Sequence, residues 1–462
     1  MNFTAKKLSL KEALAAARET RVLEIGTNIL EITPRIFREQ FGERPAVLVM
    51  DKHTWVVAGE KVAAAFATAS HPTVEPFIFD DPDLYAEFCF VEQLEAALKK
   101  HQAIPVAIGS GTLNDLTKLA AHRTQRPYMC VATASSMDGY TAFGASITFK
   151  GSKQTFICPA PTAVIADLNI ICNAPGKMNA WGYADLISKV TAGADWILAD
   201  ALGAEAIDPQ SWNIVQGSLR ESIADAAGVQ ARNPQAVSQL VEGLMLGGFA
   251  MQSSSSSRPA SGAEHQFSHL WDMQHHTHNG AAPSHGFKVG VATLAVTALY
   301  EYLLEQPIEQ LDVERCCENW PDEKSQEAAV RKLFAKDDFA DKAVEETLAK
   351  YSSREELRTQ LLKLKSDWPQ LKHQLREQLL SFSELKGMLQ AVGAPTSPEE
   401  IGISRERLRN SFRMAYHIRR RFTILDVVVR TVILEGALEN LFSANGAWPT
   451  KHHARGVHAA IT

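Results

Sequence analysis

Short apolar runs alternate with longer amphipathic stretches over the first 175 residues. AVLVM (46–50) is followed by a helical pattern through WVVAGEKVAAAFATA, TVEPFIF (73–79) by one through EFCFVEQLEAALKK, and IPVAIG (104–109) by one through LNDLTKLAAH. YMCVAT (128–133) closes the series. Strand-length runs separated by helices need crossover connections, so the pattern predicts a mainly parallel sheet covered on both faces. Pro175 and Gly176, in ICNAPGKMNAWGYAD, end the strand-like pattern. Beyond them lie segments rich in Ala, Leu, Glu and Gln with a 3.6-residue period and hardly any β-branched run, which predicts an all-helical second half. The expected division is an α/β domain over 1–175 and an all-α domain over 176–462. Residues 310–400 form a polar helical excursion in which SREE (353–356) reads as a capping box. SSSSS (253–257) reads as a loop.

A chain of 462 residues, 45% hydrophobic and 22% charged, is an ordinary globular protein able to bury a large core. With 47 Lys and Arg against 53 Asp and Glu, the net charge of −6 argues against nucleic acid or an anionic membrane as a general partner. The basic stretch RERLRNSFRMAYHIRRRF (405–422) scatters its arginines around a helix axis and reads as a solvated or internally paired helix. No signal-peptide pattern opens the sequence, and ILDVVVRTVIL is broken by Asp426 and Arg430, so no membrane span is expected and a cytoplasmic location is. Six cysteines without a CxxC read as free thiols, mostly buried in strands.

GSGTLND (109–115) stands where a predicted strand gives way to a helix. Backbone N–H groups at such a helix start can cradle a pyrophosphate, and glycine admits a close main-chain approach. The motif departs from GxGxxG, with Asn114 in the third glycine's place. Two neighbours strengthen it: Asp51 directly follows AVLVM, where an acid can accept hydrogen bonds from an adenosine ribose, and TASSMDG (133–139) follows YMCVAT. Three polar strand ends then converge on one crevice. Such an acid can equally cap a helix.

Catalytic divalent metals commonly take three protein ligands and keep a position for substrate. Candidates are Asp185 in AWGYADLISK, His265 in SRPASGAEHQFSHLWDM and His285 in PSHGFKVGVATL. His265 and His269, one helical turn apart, can face one cavity. His275, His276 and His278 in QHHTHNG compete as ligands, although Gly280 and Pro283 point to an exposed loop. Taken singly, each histidine reads more simply as a core or surface residue.

Taken together, GSGTLNDLTK, TASSMDGYTAFGA, PTAVIADLNII, WGYADLISKVTAGADW, SRPASGAEHQFSHLWDM, PSHGFKVGV and RMAYHIRRRFTILD resemble the sn-glycerol-1-phosphate dehydrogenase family, bacterial branch. This family lies in the superfamily of glycerol dehydrogenase, iron-containing alcohol dehydrogenases and dehydroquinate synthase. The resemblance covers nearly all the chain apart from much of 310–400. It implies a dehydroquinate synthase-like fold, with a nucleotide-binding α/β domain followed by a helical domain. By the same resemblance Asp185, His265 and His285 would hold zinc, nickel or iron, and Asp138, Asp185 and His269 would contact substrate, Asp138 and His269 serving catalysis. Gly111, Thr112, Leu113, Asn114 and Asp115, with Thr133, Ala134, Ser135 and Ser136, would line NAD or NADP, and Asp51 its ribose. Ala142 stands where many relatives carry a serine near the cofactor, so a hydrogen bond there would be absent. Asp272 either orients one of the histidine rings or pairs with a neighbouring surface residue.

The activity so implied is reversible NAD(P)H-linked reduction of dihydroxyacetone phosphate by a homo-oligomer, a dimer or larger. Asp138, His269 or water would deliver the proton. Arg258, Lys153 and Lys288 are candidate phosphate donors, and Asp51 favours NAD, because it would repel a 2′-phosphate. The rival enzyme reading is an unphosphorylated polyol dehydrogenase. A dehydroquinate synthase-like cyclase would need a glycine-rich, lysine-bearing segment after TASSMDG that is missing. The rival of another class is a non-catalytic scaffold that binds metal, nucleotide or nucleic acid.

Overall fold

Six parallel strands form the sheet in the order β1 (Val22–Gly26), β8 (Ala163–Asp167), β5 (Met129–Ala132), β4 (Ile104–Gly109), β2 (Ala46–Asp51) and β3 (Phe77–Phe79). The computed structural model describes residues 5–150 and 152–450. The central strands are buried along nearly their whole length, as runs dominated by Val, Ile, Leu, Met and Ala require of a sheet with helices on both faces. In register, Ala107 faces Cys130, and Cys130 faces Val164.

β1 and β8 extend the sheet beyond β5, where the sequence pattern had closed the series. VLEIG carries Glu24 in its centre, and AVIAD runs straight into the helix Leu168–Asn173, so neither stands out as an isolated apolar run. The run TVEPFIF forms a strand only over Phe77–Phe79, with a single bridge from Thr73 to Ala46. An antiparallel hairpin, β6 (Ala145–Phe149) with β7 (Ser152–Phe156), lies outside the sheet.

From β2 the chain moves outward to β3, then returns across β2 to β4 and continues through β5 to β8. The direction of winding therefore reverses between β2 and β4, and a crevice opens at the carboxyl ends of such neighbours. Asp51 ends β2, and Ser110 separates β4 from helix α1 (Gly111–Arg123).

From Gly176 onward the described residues form no named strand. Helices α2 (Gly176–Ile187), α3 (Lys189–Ala201), α4 (Pro234–Ser254), α5 (Ala263–Met273) and α6 (His285–Leu304) surround one apolar core. By length and composition α6 could cross a membrane, a property the interrupted runs of the sequence did not suggest. Yet 83% of its most apolar window is buried inside the protein, which makes it a core helix. Two helices of the 310–400 region, α7 (Ala340–Leu348) and α8 (Arg354–Gln378), share this core: Val344, Leu357, Leu361, Leu364 and Trp368 pack into the same cluster as Ile187 and Trp271. The predicted capping box starts α8, with Ser353 N–H donating to Glu356 at 2.7 Å and Glu356 N–H to Ser353 Oγ at 3.3 Å. Buried Lys350 ties the region to the C-terminal part through Asp426 at 3.1 Å and the face of Tyr416 at 3.9 Å.

The six cysteines are free and four are buried, but only Cys130 lies in a strand. The serine run is helical through Ser254 and breaks at Ser255, whose φ is +52°.

Candidate metal centre and nucleotide crevice

Glycine lets α2 seat directly on its neighbours. A Cβ on Gly182 would overlap the carbonyl oxygen of Ser135, and one on Gly286 would overlap that of Trp181. These contacts set Asp185 of α2 against the loop after β5 on one side and the start of α6 on the other. His285 is the first residue of α6, whose cap Ser284 accepts from Phe287 N–H at 3.3 Å.

Asp185, His265 and His285 each present a ligand atom within 4.8 Å of the other two. Asp185 is fully buried, and His265 Nε2 lies 3.8 Å from its Oδ1. The His265 and His285 ring centroids are 5.3 Å apart. His269 stands one turn along α5, its ring 6.3 Å from His265 and 6.5 Å from His285. Asp138 N–H donates to Asp185 Oδ2 at 3.1 Å. The structure thus gathers Asp138, Asp185, His265, His269 and His285 in one place.

Two buried residues that sequence reasoning did not single out complete the cluster. Lys189 Nζ donates to Asp185 Oδ1 and Asp138 Oδ2, both at 2.8 Å, and to the Asp185 carbonyl at 2.9 Å, which uses all three ammonium hydrogens. An acid and a lysine at i and i+4 in an apolar segment were the available signal. Glu264 accepts from His265 Nδ1 at 2.8 Å, from Thr191 Oγ1 at 2.8 Å and from Gly262 N–H at 2.5 Å, leaving His265 Nε2 for a ligand.

Burial acts most strongly on these groups, and their partners decide the outcome. It would raise the Asp185 carboxyl, but Lys189, His285 and His265 hold it well below the usual carboxylate range. Burial and the neighbouring Asp185 raise Asp138 against the opposing Lys189. For His285, burial pushes the imidazole down to about 3 despite Asp185, so the ring is neutral and able to ligate. His269 falls well below the ordinary range through burial, then through Arg419, whose guanidinium donates to its Nε2 at 3.0 Å.

Asp272 does not orient a histidine: its carboxylate pairs with Lys288, which also withdraws Lys288 from the candidate phosphate donors. Arg258 is withdrawn too, since its buried guanidinium donates to the carbonyls of Asp195 at 2.7 Å and Phe422 at 2.9 Å. His276 bonds the Ile401 carbonyl at 2.7 Å and Arg407 at 2.7 Å, and neither it, His275 nor His278 belongs to the ligand group. The basic stretch is largely internally paired, with Arg405 on Glu399, Arg413 on Glu435 and Arg420 on Glu346.

At the crevice, α1 starts without a side-chain cap on Ser110, and Gly111 and Thr112 stay partly exposed. Leu113, Asn114 and Asp115 turn inward. Leu113 packs under Gly109, Asn114 bonds Tyr128 and the Gly139 carbonyl, and Asp115 accepts from Ser146 N–H at 3.1 Å. Thr133, Ala134 and Ser135 are buried as well, with Ser135 Oγ donating to Asn179 at 2.8 Å; Ser136 is partly exposed. Asp51 ends β2 as expected, and it also caps the short helix Lys52–Thr54, accepting from Thr54 N–H at 2.7 Å. Ala142 lies in an apolar cluster with Met251 and Ala260.

Residues 24–175 match the model of a family described as iron-containing alcohol dehydrogenase. A glycerol-1-phosphate dehydrogenase (NAD(P)+) of Halalkalibacterium halodurans is 34% identical over 62% of this chain and 72% of the relative. This chain belongs to the glycerol-1-phosphate dehydrogenase family. Another member, from Geobacillus thermodenitrificans, is 28% identical over 85% of this chain and 88% of its own length. An archaeal member, from Pyrococcus abyssi, is 31% identical over 61% of this chain and 78% of its own. Among solved structures, glycerol dehydrogenase from Schizosaccharomyces pombe superposes with a TM-score of 0.58 at 15% identity, covering 95% of this chain and 93% of that one. A probable glycerol dehydrogenase from Sinorhizobium meliloti gives 0.57 at 14% identity, covering 91% and 98%. These neighbours share the family's fold, an α/β sheet domain followed by helices.

Proposed function

We propose that this chain catalyses the reversible NAD(P)H-linked reduction of dihydroxyacetone phosphate to sn-glycerol 1-phosphate, with one divalent ion held by Asp185, His265 and His285. The meeting of those three side chains, from three helices distant in sequence, carries the reading. Membership of a family whose relatives are named for glycerol 1-phosphate and NAD(P)+ supplies substrate and cofactor. The donor set fits a metal. Two imidazoles and a carboxylate kept ionised suit zinc, nickel or iron, three protein ligands leave room for substrate, and Glu264 fixes one ring from behind.

When bound, the ion polarises the substrate carbonyl and the dihydronicotinamide supplies the hydride. The chain's own residues hold the proton and exclude water. Asp138 is the proton donor in this reading: Lys189 occupies its Oδ2 and leaves Oδ1 to pass a proton, burial and Asp185 raise its carboxyl, and its own N–H bond to Asp185 fixes it beside the triad. Lys189 stays charged, offsets the two carboxylates and keeps Asp138 in place. His269 binds substrate instead of shuttling a proton, because its Nε2 already accepts from Arg419 and the neutral ring carries its hydrogen on Nδ1. Uncapped N–H groups at the start of α1 serve the cofactor pyrophosphate, and Asp51 its ribose.

The test is oxidation of NADH and of NADPH by purified protein with dihydroxyacetone phosphate, after loading with zinc, nickel or iron, followed by chiral analysis of the product. The expected product is sn-glycerol 1-phosphate, formed by wild type and lost in Asp185→Asn. Turnover of dihydroxyacetone and glycerol alone would replace this reading with the polyol dehydrogenase.

A further inference from the structure

Beside His269 lies a cavity of about 1020 Å³, walled by β7, α5, α7 and the segment Ile418–Arg421. We propose that Arg419 and Lys153, on different walls of this cavity, grip the phosphate group of the substrate and select it over unphosphorylated polyols. The inference rests on the functional reading above and deepens it.

The three consecutive arginines of the segment have separate partners. Arg420 is clamped to α7, where Glu346 accepts from its backbone N–H at 2.7 Å, its Nε at 3.0 Å and its NH2 at 2.9 Å. Arg421 braces the loop before α5, donating to the Ser261 carbonyl at 2.6 Å and Ser257 Oγ at 2.8 Å. Arg419 has one bond, to His269, and no carboxylate partner among the described residues; most of its guanidinium donors are therefore free for a ligand. Lys153 likewise has no ion pair among the described residues.

The carboxylates at the cavity already have partners. Glu346 holds Arg420 and Lys342, Asp341 holds Arg331, Glu205 lies 3.4 Å from Arg258, and Asp338 lies 3.9 Å from His275. An excess of positive charge remains. Burial lowers the pKa of Arg419, and it pushes Arg421 down to about 9 with Arg258 and Arg419 adding to the effect. A bound dianion would relieve that repulsion through charge-assisted, bidentate bonds. Because Arg419 also holds His269, a phosphate on it sits one side chain from the residues around the metal triad. An uncharged polyol would leave both cations without a counterion, which is how such a site rejects an analogue lacking the group it binds.

The experiment compares wild type with Arg419→Gln, Arg419→Lys, Lys153→Gln and the exposed control Arg376→Gln, each checked for folding by its thermal melt. It measures kcat/KM for dihydroxyacetone phosphate and for dihydroxyacetone, and calorimetric binding of inorganic phosphate. Expected are losses of at least about 100-fold in kcat/KM for the phosphorylated substrate in both Gln variants, carried mainly by KM. Turnover of dihydroxyacetone should fall at least about 10-fold less than that of the phosphorylated substrate, phosphate affinity should fall at least about 10-fold, and Arg419→Lys should recover part of each loss. If wild type reduces dihydroxyacetone phosphate and the Gln variants stay within about threefold of it, the pocket is wrong and the functional reading stands. If wild type fails to reduce it, that reading fails, and phosphate affinity still decides the pocket: dependence on Arg419 and Lys153 supports it, and equal affinity overturns it.

Discussion

Lys189 lies 2.8 Å from Asp138 and 2.8 Å from Asp185, a buried ammonium shared by two carboxylates at the centre of the candidate site. Removing the cation leaves two acids facing each other without water. Lys189→Met should therefore destabilise the chelated protein by about 3–5 kcal/mol, and adding Asp138→Asn should restore much of it. Urea unfolding of wild type, single and double variants checks this; equal midpoints for wild type and Lys189→Met would contradict it.

Glu264 touches no substrate, yet it fixes the tautomer of His265. Glu264→Gln keeps the shape and removes the charge, so metal affinity should fall by about 10- to 100-fold with the fold preserved. Competition with a chromogenic chelator measures the affinity, and circular dichroism the fold.

Asp51 has two duties that one substitution can separate. Asp51→Ala removes the carboxylate and also the cap of the helix Lys52–Thr54, a loss of about 1 kcal/mol. Asp51→Asn keeps a capping oxygen and removes only the charge. Both should raise the use of NADPH relative to NADH, but only the alanine variant should melt earlier. An unchanged cofactor ratio in both would remove Asp51 from the ribose site.

His417 gives the protein an acid-labile point away from the metal site. Burial, then Lys350, lowers its imidazole from 6.5 to about 3, while its Nδ1 bonds Thr347 Oγ1 at 2.9 Å. The folded pKa lies below the unfolded one, so this contribution is present above pH 6.5 and is lost as pH falls towards 3. His417→Phe should flatten the stability profile across that window by a few kcal/mol, on the order expected for a buried imidazole. Chemical unfolding at a series of pH values reads the difference.

The sheet was legible where its strands are unbroken apolar runs, as in β2, β4 and β5. It was not where Glu24 interrupts β1 or where β8 merges with the next helix, because strand identity there comes from pairing with β5 and β8. Asp185, His265 and His285 were reached through family likeness; their spacing along the chain fixes no common point in space. Asp272 shows the limit of local spacing. It lies three residues from His269 on α5, yet Lys288 on another helix takes it. Which of Arg419, Arg420 and Arg421 lacks an acid was equally hidden, since the deciding residue, Glu346, comes from a region that reads as polar surface.

Gly182 and Gly286 have a consequence for how this enzyme could change its substrate. Where main chain rests on main chain, no rotamer can take up a shift, so Asp185 and His285 sit on a scaffold with almost no mechanical slack. Variation in what is reduced must then come from the far wall, where side chains of α7 and the arginine run can be exchanged while the ion-binding geometry stays as it is.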